Sequence, residues 1–150
     1  ISLYGLMYDS KKPKIYVSYS MAHRGEDYKS VDRFINKLRR YTIVFDPKSV
    51  EDITDEIIDN SDLTNLIFNQ TVRRDLHFVD QSDFVVVYLS KLVYSSGVDA
   101  ERMHAHETGK KVILYFPFEK YSPFTPYFVD KMFRNEDDLI EYIKKLSKSK

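Results

Sequence analysis

The sequence predicts a single α/β domain built on an open, doubly wound parallel sheet of about five strands, and three observations point there. Short β-branched and aromatic runs alternate with helix-spaced stretches along most of the chain. One run, Phe84-Val85-Val86-Val87-Tyr88-Leu89, is apolar without interruption, as a strand covered on both faces must be. The 150 residues suffice for one core, and with no cysteine among them no disulfide staple is available.

Residues 1–13 read as a lead-in or linker ending in the basic run Lys11-Lys12-Pro13-Lys14, and residues 14–150 as one domain. Ile15 to Ser20 forms the first strand. Val31, Phe34, Ile35 and Leu38 recur at helical spacing, and Tyr41 to Phe45 returns to strand character until Asp46-Pro47 stops it. Ser49 to Gln70 is acidic and weakly periodic and reads as a helix with a loop; a clearer helix follows over Thr71 to Ser82, with Val72, Leu76 and Val79 as its apolar stripe. After the Phe84–Leu89 strand comes a loop, Ser90 to Val98, then a helix from about Ala100 to Thr108 capped by Asp99 and closed by Gly109. Val112 to Phe116 supplies a fourth strand and Lys131-Met132-Phe133 a short fifth. The last helix has Glu136, Asp137 and Asp138 in its first turn and Lys144 and Lys145 near its end, a charge order that suits the helix dipole. The expected order is 2-1-3-4-5, a flavodoxin/Rossmann-like sheet, with ligands beyond the C-terminal strand ends.

Composition excludes several classes. Lys plus Arg equals Asp plus Glu at 23 each, so the one-sided field of a duplex nucleic-acid binder is missing while a small anionic ligand is still accommodated. Four glycines at positions 5, 25, 97 and 109 form neither a P-loop nor a G-x-G-x-x-G fingerprint, which removes kinase and dehydrogenase readings and any expectation of a cofactor. His104 and His106 stand two apart on a helix, where they cannot converge on one ion, so no metal site is expected. No apolar run has the length of a membrane span, and the expected location is cytoplasmic. The chain opens on Ile1 rather than Met, which leaves room for a longer parent chain.

Glu101 stands out among the polar residues. In the first turn of a helix opening at a strand-end loop, its carboxylate would face the positive end of the dipole and be held ionised, although acids also occupy first turns for stability alone. Asp75 falls about 40° around its helix from Val79, at the edge of the apolar stripe, where it is either half-buried with a raised pKa, or paired with Arg73 or Arg74, or simply facing water. Asp83, entering a buried strand, suits a turn or capping role. Ser20, Ser95 and Ser96 lie in loops at the same sheet edge, where hydroxyls and amides can hold a phosphate with help from Arg24, though loop serines are also ordinary turn formers.

Taken in order, these residues resemble the nucleoside 2-deoxyribosyltransferase superfamily, and most closely its 2-deoxynucleoside 5-monophosphate N-glycosidase branch, over Lys14 to about Phe128. Ile15-Tyr16-Val17-Ser18-Tyr19-Ser20 is similar to the family's opening strand, which implies site roles for Tyr16 and Ser20. Arg74 to Asp83 resembles the helix-to-strand passage in which a catalytic aspartate precedes a structural one by eight residues, the spacing of Asp75 and Asp83. Ser95-Ser96-Gly97-Val98-Asp99-Ala100-Glu101 resembles the loop into the nucleophile helix, which implies phosphate contacts from Ser95 and its neighbours and a nucleophilic Glu101. In Ser122-Pro123-Phe124-Thr125-Pro126, Thr125 or Ser122 matches a hydroxyl that reaches across a homodimer to the neighbour's phosphate. Two positions depart from the family's glycines, Tyr19 and Met103, and both would add bulk beside the pocket.

The resemblance implies cleavage or transfer of the base–sugar bond of a nucleotide, with Glu101 as nucleophile and Asp75 assisting the leaving base. Two other readings stay open. Val17-Ser18-Tyr19-Ser20, Val44-Phe45-Asp46 and Tyr94-Ser95-Ser96 ahead of Glu101 also resemble TIR domains, whose members include NAD hydrolases with a glutamate in that place, though the long Ser49–Gln70 stretch and the Asp75–Asp83 spacing suit them less. The bulk at Tyr19 and Met103 would suit a non-catalytic nucleotide-binding or interaction module.

Overall fold

The computed structural model describes residues 12–20, 26–47, 61–91 and 95–148. Ten elements follow in chain order: β1 (Lys14–Ser18), α1 (Glu26–Leu38), β2 (Ile43–Phe45), α2 (Ser61–Gln81), β3 (Phe84–Tyr88), α3 (Ser96–Glu107), β4 (Lys111–Tyr115), α4 (Phe124–Tyr127), β5 (Lys131–Phe133) and α5 (Glu136–Lys148). All strand pairs are parallel and the order is β2-β1-β3-β4-β5, as the sequence leads one to expect. Strand order reverses between β1 and β3, the switch point of such sheets. No helix among the described residues is long and apolar enough to cross a membrane.

The period of two along each strand divides the core into two layers. Ile15, Val17, Val86 and Ile113 pack with Val31, Phe34, Ile35 and Leu38 of α1 and Leu139 and Ile143 of α5. Tyr16, Val85, Val87, Val112 and Leu114 face the other way, onto Phe78 and Val79 of α2 and Val98 and Ala105 of α3. Because both faces are covered, Val85 to Tyr88 are all buried, which explains why that run shows no polar alternation.

The helices differ from expectation in three places, the first being the short α4 (Phe124–Tyr127), which no expected helix covers. α2 begins at Ser61, ten residues before Thr71. Among its described side chains, Leu66, Phe68 and Val72 are exposed and burial sets in at Phe78 and Val79, so no buried apolar stripe runs through the earlier turns. Val72 therefore does not belong to the core stripe. α3 begins at Ser96, and its cap is Ser95 rather than Asp99; the Ser95 backbone is extended and its hydroxyl accepts the Val98 N–H at 3.3 Å. At the far end Gly109 adopts φ 77°, with Gly109 N–H on the His106 carbonyl and Lys110 N–H on that of Ala105, a Schellman closure that a side chain at Gly109 would strain. The expected loop at Ser90–Val98 is thus shorter, and residues 92–94 with Tyr94 lie outside the described residues. So do Arg24, most of the lead-in and residues 48–60.

Candidate active site

Tyr16 and Ser18 occupy alternate positions of β1, so both side chains project from the α2/α3 face of the sheet, and neither has any solvent exposure. Glu101 meets them from α3, at 9% exposure. The Tyr16 hydroxyl donates to Oε2 of Glu101 in a short hydrogen bond, and Ser18 Oγ donates to Oε1 at 3.0 Å. Both carboxylate oxygens are thus held from a single strand.

Burial pushes the Glu101 carboxyl up to about 7; the hydrogen bonds from Tyr16 and Ser18 oppose this, and the negative charge of Asp75 adds to it. The Tyr16 phenol is pushed up by burial first, then by the charges of Glu101 and Asp75, so it stays a neutral donor. This corrects the expectation of a dipole-held, ionised glutamate. With α3 starting at Ser96, Glu101 sits in the second turn, past the reach of the exposed amides, and desolvation decides its proton affinity.

Asp75 approaches from α2, half-buried, and the raised pKa and the arginine pairing hold at once rather than as alternatives. It pairs with Arg74, whose Nε and terminal nitrogen lie 3.2 and 3.1 Å from Oδ1. Burial nevertheless raises its pKa, with Arg74 pulling the other way. Its charge acts on both Tyr16 and Glu101, so the three form one electrostatic cluster. Asp83 serves as a strand-entry clamp: its carboxylate accepts the Lys14 N–H at 2.8 Å and its own N–H donates to the Lys14 carbonyl at 2.7 Å.

The other anticipated residues are found in varied settings. Ser20 is buried just beyond β1. Ser95 is half-buried and committed in part to capping α3, while Ser96 and Gly97 are exposed; a Cβ at Gly97 would meet nothing within 4 Å, so packing does not require glycine there. Ser122 is exposed, and its Oγ accepts the Phe124 N–H at 3.3 Å. Thr125 is tied to α3 through its carbonyl, which accepts from Arg102 at 3.3 Å. Arg102, next to Glu101 in sequence, also pairs with Asp99 at 3.2 Å. A hollow of about 180 Å³ lined by Pro123, Phe124, Tyr127 and Phe128 lies in this region, but none of Tyr16, Ser18, Asp75 or Glu101 lines it.

Tyr19 and Met103 do not crowd the cluster. The Tyr19 ring packs in the α1/α5 layer with its hydroxyl 2.6 Å from Asp46 Oδ1, and Met103 is 40% exposed on α3. His104 and His106 diverge, one to Asp80 at 2.6 Å and the other against Tyr127 and Phe128. Ser18 is the contact that sequence reasoning missed. The signal was present in the period of two counted from Tyr16, which puts Ser18 on the same face.

Strand order and layering define the class: the chain has the nucleoside deoxyribosyltransferase-like fold, a parallel five-stranded sheet with helices on both faces. By sequence it matches no protein-family model and none of the curated proteins. Among solved structures it is similar to a 2-deoxyribosyltransferase from the psychrotolerant bacterium Bacillus psychrosaccharolyticus, at TM-score 0.68 and 20% identity over 86% of this chain and 91% of that one. A conserved protein from Enterococcus faecalis V583 gives TM-score 0.68 and 18% identity over 90% and 99% of the two chains. A CMP N-glycosidase of Clostridium botulinum gives 0.58 and 16% over 89% and 97%. At these identities the likeness is one of fold.

Proposed function

We propose that the chain cleaves or transfers the base–sugar bond of a (deoxy)nucleoside 5′-monophosphate, as an N-glycosidase or deoxyribosyltransferase with Glu101 as nucleophile. What carries this is the Glu101 carboxylate, buried, bonded by Tyr16 and coupled to Asp75, in a fold shared with a 2-deoxyribosyltransferase and a CMP N-glycosidase. A carboxylate oxygen bonds to the anomeric carbon as the C–N bond breaks through an oxocarbenium-like transition state, and the electron pair of that bond leaves with the base. Asp75 protonates the departing base; its raised pKa supports that acid role. Water or an acceptor base then attacks the same carbon, Glu101 is released as a carboxylate, and Asp75 takes up the proton. Such a retaining pair stands about 5 Å apart.

Tyr16 orients the nucleophile. Ser95 spends one lone pair on the Val98 N–H and keeps its O–H for a phosphate oxygen, with Ser20, Ser96, the Gly97 backbone and Arg24 completing the 5′-phosphate site. Ser122 or Thr125 of a second copy supplies the remaining contact, so the working unit is a cytoplasmic homodimer.

The test is a panel of ribo- and deoxynucleoside monophosphates, free nucleosides and NAD, chromatographed for released base. Base release from a monophosphate, lost in Glu101→Gln, is the expected result. Nicotinamide release from NAD alone would transfer the case to the TIR-like alternative, and saturable binding without turnover to a nucleotide-binding module.

A further inference from the structure

Glutamate has three side-chain torsions, and the last is broad, so a single hydrogen bond leaves its carboxylate free to swivel. Tyr16 alone would leave that freedom. Ser18 removes it: its Oγ lies 3.0 Å from Oε1 while the Tyr16 hydroxyl takes Oε2. Ser18 is fully buried, so water does not compete for the contact, and its backbone is registered against Val87 in the middle of the sheet.

We propose that Ser18 is a positioning residue for Glu101, fixing the plane of its carboxylate from the same strand that supplies Tyr16 and so presenting one oxygen lone pair in a constant direction. The proposal rests on Glu101 acting as the nucleophile and adds a residue to that site. A serine hydroxyl suits the task because it donates one hydrogen without adding charge and rotates to follow the oxygen. Among the described residues, those that act on Glu101 are Tyr16 and Ser18 from β1 and Asp75 from α2, with Arg74 moderating Asp75. Of these, Tyr16 and Ser18 favour the ionised carboxylate, and Asp75 disfavours it.

Ser18→Ala removes the donor and leaves Tyr16 and Asp75 in place. The acid limb of the kcat/KM profile should then move to higher pH, by about one unit for a ten-fold change in proton affinity. At each protein's own pH optimum, a ten-fold loss or more should persist from lost orientation. Ser18→Thr restores a hydroxyl on a strand-compatible side chain and should return the limb toward its original place; Ser18→Cys, a weaker donor of similar size, should fall between. A second readout needs no substrate: the carboxyl carbon of Glu101, followed by ¹³C NMR and assigned by its loss in Glu101→Gln, should titrate at higher pH in Ser18→Ala and in Ser18→Cys. An unchanged titration midpoint in folded Ser18→Ala or Ser18→Cys would overturn the proposal. If instead Glu101→Gln turns over normally, the nucleophile itself is misassigned, an outcome separate from any failure of Ser18.

Discussion

Replacing Glu101 by glutamine should make the protein more stable, and by an amount that depends on pH. In the unfolded chain this carboxyl titrates near 4.5, and in the fold at about 7. Below the lower value both states carry the proton and nothing distinguishes them. As pH climbs, the unfolded chain gives up its proton first, so the fold loses stability steadily until its own carboxyl ionises at about 7. At about 1.4 kcal/mol per pH unit, that window amounts to about 3 kcal/mol. Glutamine is close in shape to the protonated acid and cannot ionise, so the variant escapes the loss. Urea unfolding of both proteins at pH 4 and pH 8 measures it: titrating groups that do not interact with Glu101 cancel between the two proteins, and the stability gap should widen by about 3 kcal/mol toward pH 8, or about 10 °C in melting temperature. A gap that stays constant with pH would refute the argument, because it would mean that the carboxylate is solvated in the folded chain.

Asp75→Asn should slow turnover most for substrates with poor leaving bases and least for activated ones, which a series of base analogues resolves. Ser95→Ala should cost about 1 kcal/mol of stability through the lost cap of α3, read by urea unfolding, and should weaken monophosphates more than the matching nucleosides in a binding titration. Sedimentation at assay concentration should find a dimer, and Thr125→Val or Ser122→Ala should lower activity toward monophosphates without dissociating it; a fully active monomer would remove the shared phosphate contact.

How much of this was legible in the sequence varies by element. β3 was, because burial on both faces writes an unbroken apolar run, and so was α5, whose acidic start and basic end are local signals. The first half of α2 was not: Leu66, Phe68 and Val72 are exposed, so its described apolar residues form no buried stripe to read. The start of α3 was misplaced because Ser95 and Asp99 are both good caps, and only the backbone shows which one turns its side chain to an amide. At the site, residue types and resemblance singled out Tyr16, Asp75 and Glu101. The raised proton affinity of Glu101 was hidden, because it depends on how deeply α3 lies against β1, a tertiary quantity.

β1 lies between β2 and β3 and carries the donors to Glu101 on one side and Ile15 and Val17 on the other. Its amides should therefore be among the last to exchange with deuterium, opening only when the whole domain opens. Half of the site thus hangs from an interior strand of the sheet, and half from helices that meet the sheet through side chains. For anyone building a library to change which nucleotide is accepted, substitutions in β1 would be paid for in folding yield, whereas the outer turns of α2 and the start of α3, with Ser96 and Gly97 exposed, offer ground where variation is cheap.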